Sequence, residues 1–132
     1  PESVFSGIGV ELISNEIPNR VQVHAPGEMA FAIDAETRCL SGAFGIGEGA
    51  YTGDGATDGV AFSIHARDAS GGLMEIWSRT LRPLTVQEDR GPQRFQVCAP
   101  EDVKKLILRT DAGENGSANW DWAYWAELRF SP

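Results

Sequence analysis

The stretch SANWDWAYWAELRF, residues 117–130, gathers Trp120, Trp122 and Trp125 beside Tyr124 and the acids Asp121 and Glu127. It holds three of the chain's four tryptophans. Large rings next to carboxylate, amide and guanidinium groups suit a sugar. The apolar face of a pyranose stacks on a ring while polar groups hydrogen-bond its hydroxyls. The same rings could instead be core or rim packing. Read as one regular strand, 122–130 places Trp122, Tyr124, Ala126, Leu128 and Phe130 on one face, which reads as core. Trp125, Glu127 and Arg129 fall on the other face with Asp121. Trp125 is therefore expected to point away from the core or into a cleft. Trp120 lies in a loop rich in glycine and asparagine, where core packing has no claim on it.

Other candidate chemistry is sparser. The loop TGDGATDG carries Asp54 and Asp58 among glycines, the oxygen-rich setting a hard cation such as calcium needs. EF-hand spacing is absent, and turn chemistry alone accounts for both residues. The run FGIGEGAY lacks GxGxxG spacing and is followed by another turn cluster, so its glycines read as a tight connection and not a phosphate cradle. His24 and His65 are the only histidines, and no HxH, HExxH or Cys/His cluster exists to hold zinc. There is no GxSxG elbow, and nothing marks any two of the 19 acids as a hydrolytic pair. The chain is expected not to be an enzyme. Asn115-Gly116-Ser117 is a formal glycosylation sequon, with turn chemistry as its default meaning.

The elements that must position these residues are strands. MAFAID alternates Met29, Phe31 and Ile33 against Ala30, Ala32 and Asp34. VAFSIHARD alternates Val60, Phe62, Ile64 and Ala66 against Ser63, His65 and Arg67. RFQVCA and AELRF alternate likewise, the period-two pattern of strands with one face on a core. VFSGIGVELI, RVQVHA, CLSGAFGI, LMEIWSRTL and KLILRTD are further strand candidates, and PEDVKK could form one helical turn. Turn clusters rich in Gly, Pro, Asn and Asp separate them. About nine short strands argue for an all-β fold, an antiparallel β-sandwich or jelly roll.

At 132 residues the chain reads as a single domain, 1–132, long enough to bury a real core. It opens on PESVF without a methionine or leader, and reads as a module excised from a larger multidomain protein. The net charge of −8 repels phosphate backbones and anionic lipid, so nucleic acid and membranes are poor partners. No apolar run reaches the ~18 residues that would span a bilayer. Cys39 and Cys98 lie far apart without CxxC spacing and read first as buried thiols, with a disulfide as the alternative.

Three stretches, RVQVHAPGEMAFAID, FGIGEGAY…DGVAFSIHARD and LILRTDAGENGSANWDWAYWAELRF, resemble a broad family of carbohydrate-binding modules that includes the family 51 modules. Those are galactose-binding-like β-sandwiches usually appended to glycan-active enzymes, and the likeness covers most of residues 20–130. It implies a cleft among the loops at one end of the sandwich, lined by His24, Asp111, Asn119, Trp120 and Asp121; the strand reading above adds Trp125 as a ligand-binding candidate. It also implies a neutral, galactose-type sugar ligand, a parent catalytic domain in the same chain, and an extracellular or cell-surface setting. Calcium at Asp54 and Asp58 is the one candidate cofactor. Two features depart from the pattern: Trp122 and Tyr124 stand where smaller or more polar residues are common, and the segment with Arg79, Arg82, Asp89 and Arg90 has no counterpart in the binding pattern. The alternative function is an accessory sandwich that docks on its parent enzyme or a protein partner, its aromatics an interface hot spot.

Overall fold

The computed structural model describes residues 3–6, 20–22, 27–47, 59–83, 85–112 and 123–132, with side chains from residue 27 onward except at residue 112. Nine strands run in chain order: β1 (Ser3–Ser6), β2 (Arg20–Gln22), β3 (Gly27–Ala32), β4 (Cys39–Ile46), β5 (Val60–Asp68), β6 (Leu73–Leu81), β7 (Gln93–Cys98), β8 (Val103–Ala112) and β9 (Ala123–Ser131). They form a five-stranded sheet, β1-β3-β8-β5-β6, and a four-stranded sheet, β2-β9-β4-β7. Every pairing is antiparallel. The two sheets close over one apolar core, the expected sandwich.

Alternation in the sequence becomes burial where the strands are regular. Met29, Phe31 and Ile33 face inward, as do Val60, Phe62, Ile64 and Ala66. Phe95 and Val97 of β7 and Leu106 and Leu108 of β8 complete that layer. Each large side chain so buried contributes about 1.5–3 kcal/mol relative to leaving it in water. At the centre, Phe44 packs against Phe62 and Trp77 at 4.9 Å between ring centroids, and Phe95 meets Trp125 at 5.5 Å.

The regular reading fails in β9. Ser41 of β4 faces Arg129 while Ala43 faces Ala126, so Glu127 and Leu128 together oppose Gly42. This is a β-bulge, and Glu127 adopts the left-handed conformation, φ 52°, that absorbs the extra residue. The bulge reverses which residues face inward. Before it Ala123 and Trp125 enter the core; after it Leu128 and Phe130 pack against the core. Trp125 is thus completely buried, correcting the expectation that it turns outward. Tyr124 is buried, as expected, but on the outer face over Gly45 and outside the core cluster; an added Cβ on Gly45 would come within 2.5 Å of its hydroxyl.

Two smaller expectations are also corrected. Cys39 and Cys98 are not free thiols: they stand opposite one another on β4 and β7 and form a disulfide closing 59 residues of chain. PEDVKK makes no helical turn; the Val103 N–H donates to Pro100 O at 3.1 Å, and the chain enters β8 directly.

Candidate functional site

Strand register gathers the connections of interest at one end of the sandwich. Gln22 pairs with Tyr124, and Ile46 with Ala123, so the segments after β2, after β4 and before β9 start or stop side by side. Gly27 pairs with Thr110 and Val60 with Ala112, bringing the start of β3, the start of β5 and the finish of β8 to the same level. The connections 23–26, 48–58 and 113–122 are therefore anchored at a common rim. The opposite end has the short turns 33–38, 69–72 and 99–102.

The proposed site residues His24, Asn119, Trp120 and Asp121 lie outside the described residues, as do Asp54, Asp58 and Trp122. Asp111 is described. It sits near the rim at the end of β8, paired in register with Ala61, and its carboxylate is exposed. Trp125 leaves the candidate set. Its ring is enclosed by Phe44, Phe62, Trp77 and Phe95, so it has no face to offer a sugar. Its indole Nε1 is buried with no hydrogen-bond partner among the described residues.

The same rim holds the connection 82–92, the segment that departs from the family's binding pattern. Asp89 is buried and accepts from the Arg82 backbone N–H at 2.8 Å and from Arg79 Nη2 at 3.4 Å. Arg90 Nε donates to Pro83 O at 2.7 Å, and Gln93 Nε2 to Glu88 O at 2.9 Å. A buried carboxylate must be paired and hydrogen-bonded, and here that requirement fixes the loop. Arg79, Asp89 and Arg90 are occupied in building the rim. Sequence reasoning missed this clamp because three of its four contacts are to backbone groups, which no residue pattern announces.

Among the described residues no group of three or more His, Cys, Asp or Glu could hold a metal. No helix among them is long and apolar enough to cross a membrane.

Comparison with known proteins adds to this geometry. Residues 19–131 match the model of the NPCBM/NEW2 domain. An uncharacterized protein of Archaeoglobus fulgidus is 33% identical over an alignment of 76 residues, and the match covers 54% of this chain and 19% of that protein. Among solved structures, the CBM51-2 module of Clostridium perfringens ZmpB, in complex with GlcNAc and accompanied by INT domains, superposes with a TM-score of 0.63 at 21% identity. That match covers 85% of this chain and 21% of the other. The M60 catalytic domain of the same protein, with its CBM51-1 and CBM51-2 domains, gives 0.64 at 15% identity, covering 85% and 10%. The tandem CBM51 modules of Sp3GH98, the family 98 glycoside hydrolase of Streptococcus pneumoniae SP3-BS71, give 0.57 at 18%, covering 84% and 30%. The chain thus spans a third or less of the relatives it matches.

Proposed function

The chain belongs to the NPCBM/NEW2 domain family, and from that membership we propose that it is a non-catalytic carbohydrate-binding module whose ligand sits at the rim described above. The observation that supports this most directly is the register that anchors 23–26 and 113–122 side by side. Those connections hold His24, Asn119, Trp120 and Asp121, and Asp111 stands at their edge. Trp120 supplies a stacking face; His24, Asp111, Asn119 and Asp121 bond hydroxyls. The ligand is a neutral sugar of the galactose type, and N-acetylglucosamine is a second candidate because a structural relative was solved with it.

Calcium at Asp54 and Asp58 would brace the 48–58 connection from the same end. The module is appended to a glycan-active protein, as the matched modules accompany an M60 catalytic domain or belong to a family 98 glycoside hydrolase. A disulfide is a bond of oxidising compartments, which suits work outside the cytosol.

The test is titration calorimetry with galactose, lactose and N-acetylglucosamine on the wild type and on Trp120→Ala. Binding by the wild type, lost in Trp120→Ala with the melting temperature preserved, is the expected result. Absence of binding across a broad glycan array overturns it. A second reading then takes over, that of a sandwich docking on its parent, and one feature favours it: Leu73 and Met74 on the edge strand β6 are 47% and 49% exposed.

A further inference from the structure

The bulge in β9 builds a second feature, on the outer face of the four-stranded sheet. A cavity of about 340 Å³ is lined by Ser41, Gly42, Arg94, Phe95, Glu127 and Arg129. Its size falls within the ~300–1,000 Å³ range of small-molecule sites. Ser41 lies on β4 between Gln96 of β7 and Arg129 of β9, all three at outward positions. Arg94 reaches over β4 to Glu127, Nη1 to Oε2 at 2.6 Å, which fixes both side chains across the cavity. Arg129 is exposed and has no ion-pair or hydrogen-bond partner among the described residues.

We propose that this cavity is a second glycan site, selective for a sugar that bears an anionic group, a carboxylate or a sulfate. The charges decide the sign. Arg94 and Glu127 cancel, so Arg129 leaves the cavity with one uncompensated positive charge on a chain whose net charge is −8. A guanidinium presents a planar fork of donors that matches carboxylate and sulfate oxygens two at a time. Around it, the Ser41 hydroxyl and the remaining Glu127 oxygen can bond sugar hydroxyls, over a floor that includes the Gly42 backbone. The location is separate from the rim. Ser41 is five residues from Ile46 along β4, which is about 17 Å at the usual rise of a strand. The inference rests on the carbohydrate reading for its class of ligand and on this face for its position.

The experiment uses amide-and-guanidinium NMR mapping with methyl glucuronide, glucose 6-sulfate, methyl glucoside and inorganic sulfate as separate probes. The two anionic sugars should shift Ser41, Arg94 and the Arg129 Nε–H, weaken with added salt, and bind Arg129→Gln at least about tenfold less tightly. Methyl glucoside should leave this face unmoved, and Arg67→Gln, on the other sheet, should behave as wild type. If inorganic sulfate binds as well as glucose 6-sulfate, the face is an anion site and the glycan assignment falls. If Arg129→Gln binds the anionic sugars unchanged, or the shifts cluster elsewhere, the proposal is overturned. Acidic-sugar binding at Arg129 without neutral-sugar binding at Trp120 keeps this site and removes the rim reading; the converse removes only this one.

Discussion

Trp125 meets the ring of Phe62 edge-on, with centroids 5.4 Å apart and planes at 84°. This contact joins the two sheets at the centre of the sandwich. Trp125→Ala should cost about 3–5 kcal/mol, the usual penalty for emptying a buried aromatic site, a large share of the ~5–15 kcal/mol that holds a domain together. Trp125→Phe should cost only a fraction of that, because it also removes a buried Nε1 donor that has no partner among the described residues. Urea melts of both variants check the order. Equal stability of Trp125→Ala and wild type would show the ring outside the core.

Gly42 is required by the bulge. A Cβ there would lie 2.8 Å from the Ala126 carbonyl oxygen, a backbone atom that cannot swing aside, and 3.1 Å from Phe95 Cε1. Gly42→Ala should therefore destabilise by about 1–3 kcal/mol, the range for overpacking. Glu127→Gly should act in the opposite direction, since glycine accepts a positive φ without strain. Chemical denaturation of the two variants should give shifts of opposite sign.

The Cys39–Cys98 bond ties the edge strand β7 to β4 and closes 59 residues. Loop-closure entropy for that length is about 4 kcal/mol. The double variant Cys39→Ser with Cys98→Ser should lose most of this in a thermal melt. A melt unaffected by strong reductant would mean that the two sulfurs are not joined in solution.

Asp68 turns the chain from β5 into β6. Its carboxylate accepts from the Ser70 hydroxyl at 2.7 Å, the Gly72 N–H at 2.8 Å and the Ser70 N–H at 3.0 Å. These bonds, the Ser70 hydroxyl first, hold its pKa below the usual 3.8. A folded-state pKa lower than the unfolded one stabilises the fold above the unfolded value, and that contribution fades as pH falls through the folded value. Carboxyl NMR should find the Asp68 midpoint below 3.8, and Asp68→Asn should flatten the acid end of the stability profile.

How much of this was legible beforehand differs strand by strand. β5 could be read outright, because Val60, Phe62, Ile64 and Ala66 alternate without interruption and all four are buried. β9 could not. Its alternation looks regular from Trp122 to Phe130, yet the bulge at Glu127 depends on Gly42, which lies 85 positions away in sequence and opposite it in register. The disulfide was hidden for a similar reason, since two cysteines without close spacing say nothing about pairing until β4 and β7 are neighbours. Of the site, the convergence of loops at one end followed only from family likeness, and register supplies the physical cause. Arg129 could be placed on the outward face but given no role, because an arginine on an exposed strand face is ordinary until the cavity beside it is known.

The bulge also sets a rule of parity for β9. On the rim side of it, odd-numbered residues point inward; on the far side, even-numbered ones do. Deleting Glu127 would restore strict pairing and leave every other side chain on its present face. Removing Arg129 instead would drive Leu128 or Phe130 to the wrong side. The strand's length is therefore free to vary by one residue at that place, and a chain that drifts in length there keeps its core intact while losing the carboxylate that holds Arg94 over the outer face.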